Sequence, residues 1–208
     1  MELQTSKKLG GIGALILFLG IIPAYIGFDL YGIPTAIGII LVLISLHSLA
    51  KFYKDKEIFN NALFGTLAAI IGAIISLAII LTTFLPTLED AMYQAAPDWN
   101  GNWIDFTNII PNFDNINSTT LLQLTIGTLL IGIVVWVFII ISMIFIRKSL
   151  KTLADHSHTN LFATTSRILI IGAAIPILGI LIIWISSLIL ANAFLTMKEP
   201  QQTPSPII

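Results

Sequence analysis

The sequence has 208 residues, of which 56% are hydrophobic and only 10% are charged, and its formal net charge is −1. Its mean hydropathy is +0.95, whereas about a quarter of the residues in an ordinary soluble domain are charged. These values exclude a typical soluble protein and indicate an integral membrane protein. The chain contains no cysteine, which excludes disulfides, thiolate zinc sites, iron–sulfur ligation and cysteine catalysis.

Five apolar runs predict five transmembrane helices, because each run can cross about 30 Å of hydrocarbon at about 1.5 Å per residue. Runs such as IGIVVWVFIIIS lack the alternation of a transmembrane β-strand, and lipid offers the backbone amides no partner outside a helix. The predicted spans are residues 9–27, 33–50, 58–85, 120–146 and 168–194. Pro176 lies within the last of them and lacks the amide hydrogen that would bond to Gly172, so it predicts a kink.

The predicted fold class is therefore all-α, a polytopic membrane helix bundle. A single transmembrane domain extends over residues 1–197, and the Pro-rich tail at 198–208 is expected to be disordered. We expect a multi-pass protein of the cell membrane.

The positions of the basic residues predict how the chain is oriented in the membrane. With the N-terminus inside, nine of the ten lysines and arginines fall on cytoplasmic segments, and only Lys198 falls outside. The loop at residues 86–119 contains five acidic residues and no lysine or arginine. We therefore place this loop outside the cell.

A shift of 100 residues aligns the second half of the chain with the first without gaps. Each copy is a helix entering the cytoplasm, a polar turn and a helix returning, which predicts a parallel two-helix internal repeat. The matching residues are Lys51 with Lys151, Asp55 with Asp155, Asn60 with Asn160, and the segment IIGA at 70–73 and again at 170–173.

The segment KTLADHSHTNLF raises the question of a metal site or proton relay, because Asp155, His156 and His158 lie close together in it. In the repeat, the two histidines align with Lys56 and Ile58, which are not ordinary metal ligands. A metal site also needs three or four converging ligands. We interpret the segment as a polar hairpin and assign no metal and no cofactor, while pH sensing by the histidines stays open.

No ionisable residue lies at the centre of a predicted span, although a proton-coupled carrier usually needs one there. Neutral polar residues are present instead, and hydrogen bonding between packed helices explains them better than a polar pathway does. They are Gln123, Thr125, Thr128, Ser186, Ser187 and Asn192.

Small residues recur at helix-packing intervals on the third predicted span. Gly65, Ala69 and Ala73 form one stripe, with Gly72 and Ser76 beside it. Such faces allow two helix backbones to approach closely. The pattern suits packing within the chain and oligomerisation equally well.

The outer loop contains DWNGNWIDFTNIIPNF, which predicts an amphipathic segment. Trp99, Trp103 and Phe106 are candidate interfacial anchors at the outer leaflet, and the alternative is that the apolar stripe caps the outer mouth of the bundle. A partial calcium-loop pattern fails because its glycine is displaced and its twelfth-position glutamate is missing. Asn117 begins an Asn-Ser-Thr glycosylation sequon on the external side.

Three segments of the chain resemble a family of small, mostly archaeal integral membrane proteins classified as a domain of unknown function. They are KKLGGIGALILFLG, GIILVLISLHSLAKFYKDKEIFNNALFG and SLKTLADHSHTNLFATTSRILIIGAAI. The resemblance extends from Lys7 to about Met197. It implies the fold and the membrane location, and it implies no activity.

The first functional hypothesis is a non-enzymatic scaffold or accessory subunit of a membrane assembly. It would contact membrane lipids and either a membrane-protein partner or further copies of itself, and it would not contact nucleic acid. The alternative is a channel or carrier for a small neutral solute or lipid. An enzyme has little support, because no nucleophile–base pair, metal cluster or phosphate-binding loop is visible in the sequence.

Overall fold

The computed structural model describes residues 2–20, 32–102, 110–176 and 178–198. In these ranges the regular structure is helical, so the prediction of an all-α fold is confirmed. The α-helices are α1 (Leu3–Gly20), α2 (Ile33–Phe52), α3 (Glu57–Ile79), α4 (Leu85–Ala95), α5 (Ser118–Ser157), α6 (Asn160–Ala174) and α7 (Leu178–Thr196).

Four helical stretches in the described residues are long and apolar enough to cross a membrane. They are Ile33–Phe52, Glu57–Ala95, Ser118–Ser157 and Leu178–Thr196. The chain is thus suited to several membrane crossings, but the predicted count of five is not confirmed. The first predicted span is described only as far as Gly20, and its remainder at 21–27 lies outside the described residues.

The third predicted span extends further than expected. A π-helical segment, Ile80–Phe84, connects α3 to α4, and α4 continues to Ala95, ten residues beyond the predicted end of the span. Pro86 lies in the first turn of α4, where its missing amide hydrogen is tolerated. The first part of the predicted outer loop is therefore helical.

The prediction of a single helix over residues 168–194 is wrong. The chain forms α6 and α7 instead, and these two helices pack against each other. The rings of Phe162 and Phe194, near the two distant ends, meet edge-to-face with centroids 5.1 Å apart. Pro176 interrupts the helical hydrogen bonding, and Gly172 and Gly179 allow the two backbones to touch. The predicted kink is therefore a reversal of chain direction.

The structure divides into two compact units, the first formed by residues 1–68 and 140–208. In this unit α1 packs against both α2 and α7. A Cβ atom on Gly13 would lie 2.9 Å from the carbonyl oxygen of Gly38, so only glycine permits this approach. Ser45 Oγ also donates a 2.7 Å hydrogen bond to the carbonyl oxygen of Ser6.

Helices α1 and α7 run in opposite directions within the first unit. The Trp184 indole stacks on Phe18 with ring centroids 4.8 Å apart, and its Nε1 donates to the Phe18 carbonyl oxygen at 2.7 Å. At the other end of the pair, the Phe194 ring occupies the space beside Gly10. The beginning of α1 and the end of α7 therefore lie at the same end of the unit.

The second unit consists of residues 69–139. The Phe138 ring fills the space where Gly72 has no side chain. Further along, Gln94 Nε2 donates a 3.0 Å hydrogen bond to Thr120 Oγ1. Asn117 Oδ1 accepts a 2.7 Å hydrogen bond from the Thr120 amide, which satisfies a free donor at the beginning of α5.

The internal repeat is not confirmed in its predicted register. Within the described ranges, the non-glycine residues with positive φ are Lys54 and His158, one in each of the two turns, and their separation exceeds the predicted shift of 100 by four residues. Asp55 lies in a turn, whereas its predicted counterpart Asp155 lies in the last helical turn of α5. The two turns are similar in kind, but the ungapped alignment does not superimpose them.

Candidate functional site

Two turns, residues 53–56 and 158–159, lie side by side in the first unit and together form the turn pair. The first turn closes α2 with paired hydrogen bonds: the Asp55 amide donates to the Ala50 carbonyl oxygen at 3.0 Å, and the Lys54 amide donates to that of Lys51 at 3.3 Å. This is a Schellman-type helix ending with Lys54 in the left-handed conformation, at φ 56°.

The second turn uses the same left-handed device to connect α5 to α6. His158 has φ 50°, and Thr159, in the extended conformation, precedes α6. The Phe162 amide donates a 3.2 Å hydrogen bond to the Thr159 carbonyl oxygen. Neither turn has glycine at the left-handed position, although glycine is the residue that adopts this conformation most easily.

A direct side-chain contact links the first turn to the last helical turn of α5, which precedes the second turn. His156 Nε2 lies 2.9 Å from Asp55 Oδ2, with relative side-chain exposures of 39% and 27%. The Tyr53 ring stacks on the His156 ring, with centroids 5.6 Å apart and an interplanar angle of 21°. The helices that adjoin the turns are also linked, because Ser149 Oγ of α5 donates a 2.5 Å hydrogen bond to the Ile58 carbonyl oxygen of α3.

The electrostatics of this contact follow from its geometry. The hydrogen bond from His156 lowers the pKa of Asp55, and the backbone amide of Glu57, which donates to Asp55 Oδ1 at 2.8 Å, lowers it further. Desolvation by burial raises the pKa of Tyr53. The Tyr53 hydroxyl is buried and has no hydrogen-bond partner within the described residues, so it stays protonated at neutral pH.

The residues that raised the question of a metal site do not converge. Asp155 and His158 are exposed, and the side chain of His156, at the end of α5, contacts Asp55 in the first turn. Among the described residues, no group of three or more histidine or acidic side chains could hold a metal ion. The arrangement is a two-residue contact between the first turn and the end of α5.

The sequence does not predict the Asp55–His156 pair, because the internal repeat aligns Asp55 with Asp155 and makes the turns separate copies. A usable signal was present, since both turns were predicted to emerge at the same membrane face. Complementary side chains on neighbouring turns of one face are candidates for contact.

The small residues of the third predicted span divide into two groups. Gly65, Gly72 and Ser76 are buried, and a Cβ on Gly65 would lie 2.9 Å from the Ser142 carbonyl oxygen of α5. Ala69 and Ala73 are exposed. The glycine positions therefore serve packing within the chain, whereas the two alanines leave a small-residue strip uncovered.

Of the candidate anchors in the outer loop, Trp99 lies within the described residues. Trp99 is only 3% exposed, packs at a 5.0 Å centroid distance from Tyr93, and donates from Nε1 to the Asn102 carbonyl oxygen at 2.8 Å. Trp99 is therefore covered by neighbouring residues, and its role as an interfacial anchor stays a prediction. Trp103 and Phe106 lie outside the described residues, as does the tail at 199–208.

Asn117, the candidate for glycosylation, is exposed, and its side chain caps α5 as described above. The backbone amide of Asn117 also donates a 2.8 Å hydrogen bond to Gln94 Oε1. The sequon asparagine therefore has a structural role in holding the beginning of α5 against α4.

Comparison with known proteins identifies relatives without a described activity. A curated relative, an uncharacterized protein of the archaeon Methanocaldococcus jannaschii, is 23% identical over 204 residues, which cover 96% of this chain and 95% of the relative. No solved structure matches the chain. The model of a family described as protein of unknown function, DUF996, matches residues 34–189. The resemblance noted from the sequence is thus confirmed, and the protein belongs to the DUF996 family.

Proposed function

We propose that this protein is a multi-pass protein of the cell membrane that acts, without enzymatic activity, as a scaffold or accessory subunit. The observation that carries the proposal is the chemistry of its buried groups. Within the described residues, every buried polar side chain is a serine or a threonine. A pump, a proton-coupled carrier or an enzyme would ordinarily require buried ionisable groups.

The buried hydroxyls serve the helices themselves. Hydroxyl groups of this set bond to carbonyl oxygens one turn back, as Ser76 does to Gly72 at 2.8 Å and Thr165 does to Leu161 at 2.8 Å. Others bond to the backbone of a neighbouring helix, as Ser45 does to Ser6. Such bonds occupy these hydroxyls and stabilise helix packing.

The proposed topology places both ends of the described chain at the cytoplasmic face. Its support is the reversal between α6 and α7, which returns the chain to the end of the first unit where α1 begins. Lys198, which sequence analysis placed outside, then joins the other basic residues. With all ten lysines and arginines on one face, the positive-inside pattern is complete.

The surface proposed for a membrane partner is the exposed strip at Ala69 and Ala73 with its apolar neighbours Ile70 and Leu77. Small side chains allow a second helix to approach closely, and the apolar neighbours provide contact area within lipid. The partner is either another membrane protein or a second copy of this chain.

The alternative of a channel or carrier for a small neutral solute or lipid receives less support. Two of the polar residues that could line a pathway bond to their own helix: Thr125 to Leu121 and Thr128 to Leu124, each at 2.8 Å. Both threonines are exposed on α5, and neither lines a buried passage.

Native mass spectrometry of the protein, gently extracted from its own membranes, tests the scaffold proposal. We expect a stoichiometric partner or a defined oligomer, and we expect A69L/A73L to dissociate it. A78L is the matched control, because Ala78 is also exposed and lies half a helical circumference away from Ala69 at 100° per residue. A monomer without a protein partner, or equal loss with both variants, would contradict the proposal.

A further inference from the structure

The turn pair carries a concentration of basic side chains. Six lysines and arginines are exposed in the first turn or in the last turns of the two helices that lead into the pair. They are Lys51, Lys54, Lys56, Arg147, Lys148 and Lys151.

These basic side chains have no acidic partners among the described residues. The partner of Asp55 there is His156, and within the described residues no lysine or arginine lies within 4.0 Å of a carboxylate. The Lys148 ammonium group lies 5.7 Å from the centre of the Phe145 ring instead. The Asp55 carboxylate is already bonded to His156. The other acidic residues near the six basic side chains are Glu57 and Asp155, both exposed, so positive charge is in excess there.

The backbone of each turn gives an independent indication. Lys54 and His158 occupy left-handed positions where glycine would be less strained. A strained residue at an exposed turn suggests that its side chain has a use. In the first turn, that side chain is the cationic one of Lys54.

We propose that the turn pair binds the phosphate headgroup of an anionic membrane lipid. A lipid fits better than a soluble phosphate because apolar surface adjoins the cations. Phe52, next to the first turn, is 45% exposed, and Phe64 on α3 is 53% exposed. The lysines would contact the headgroup phosphate while these rings contact the acyl chains.

The site rests on the membrane placement proposed above and needs no protein partner, so its test is independent of the test for an assembly. The full chain is reconstituted in vesicles, and electron spin resonance compares spin-labelled phosphatidylglycerol with phosphatidylcholine. We expect the wild-type protein to prefer phosphatidylglycerol. K51Q/K54Q/K56Q should reduce this preference at least about fivefold, the ratio expected from a single lysine near a membrane surface.

The control variant K7Q/K8Q/K198Q removes the same charge from other elements. An equal loss with the control would show a diffuse charge effect and overturn the site, as would a wild-type protein without preference. Inorganic phosphate, added at constant ionic strength, separates the two phosphate sources. If it displaces the labelled lipid, the site belongs to a soluble anion and the lipid proposal fails.

The variant K54G tests whether a reduced preference for phosphatidylglycerol is caused by misfolding. It removes one cation and also relieves the left-handed strain, so its melting temperature should rise while its preference for phosphatidylglycerol falls. A rise in melting temperature with unchanged lipid preference would exclude Lys54 from the site and contradict the proposal.

Discussion

Replacement of Gly179 by alanine should disrupt the reversal between α6 and α7. A Cβ atom at this position would overlap the carbonyl oxygen of Gly172, which is a backbone atom within a helix. A flexible side chain could rotate away from such a contact, but this oxygen can retreat only if the two helices separate. Overpacking of this kind costs about 1–3 kcal/mol, and the rigid partner places G179A toward the upper end.

The loss should be visible as a lower melting temperature. For a chain of 150–250 residues, about 1 kcal/mol corresponds to about 2–4 °C, so we expect a decrease of roughly 5–10 °C in detergent, measured by circular dichroism at the helical band. Gly132 provides the matched control, since it is exposed in α5 and a Cβ there would meet no atom within 4 Å. G132A should therefore stabilise the helix by about 0.5–1 kcal/mol. A G179A protein that melts at or above the wild-type temperature would refute the close contact of α6 and α7.

Three further predictions concern the turn pair and the beginning of α5. Y53F removes a buried hydroxyl without a described partner and keeps the ring stacked on His156. It should therefore raise the free energy of unfolding by up to about 1 kcal/mol. A clear decrease in this free energy, measured by chemical denaturation, would show that the hydroxyl has a partner. The pKa of Asp55 is lowered in the folded protein, so its stabilising effect is complete above its unfolded pKa and is lost as pH falls through the folded value. Below about pH 4, the melting temperature of D55N should therefore change less with pH than that of the wild type. Equal pH profiles for the two proteins would disprove this role for the Asp55–His156 pair. N117A removes the cap on the Thr120 amide and should destabilise α5 by about 1 kcal/mol, whereas N112A, which alters a 3.1 Å side-chain contact in the exposed loop, should change the melting temperature less.

The helical class and the apolar stretches could be predicted because hydrophobic length is a local property of the sequence. The direction of the chain after Pro176 could not, because it depends on a contact between Gly172 and Gly179. Proline predicts only that the regular hydrogen bonding stops. Whether the helix then bends or reverses is decided by side-chain volume across the break, which no single residue indicates.

The candidate site shows the same division between local and long-range information. The polar turns were visible in the sequence, but Asp55 and His156 lie 101 residues apart and meet only in the folded chain. Helical periodicity also groups Gly65 with Ala69 and Ala73 in the predicted packing stripe, whereas the close contacts with α5 are at Gly65 and Gly72. Periodicity identifies the faces of a helix but does not say which neighbour covers each one.

The contact between α1 and α7 has a consequence for the order of folding. Residues 69–139 form a unit from one continuous segment, so this unit can assemble as soon as that segment has been synthesised. The other unit pairs α1 with α7, and Gly10 can contact Phe194 only after α7 has been synthesised. Closing so long a loop is slow compared with local helix pairing. During synthesis, the glycine-rich face of α1 therefore stays partly exposed until α7 packs on it. A chain that ends before α7 would leave that face exposed.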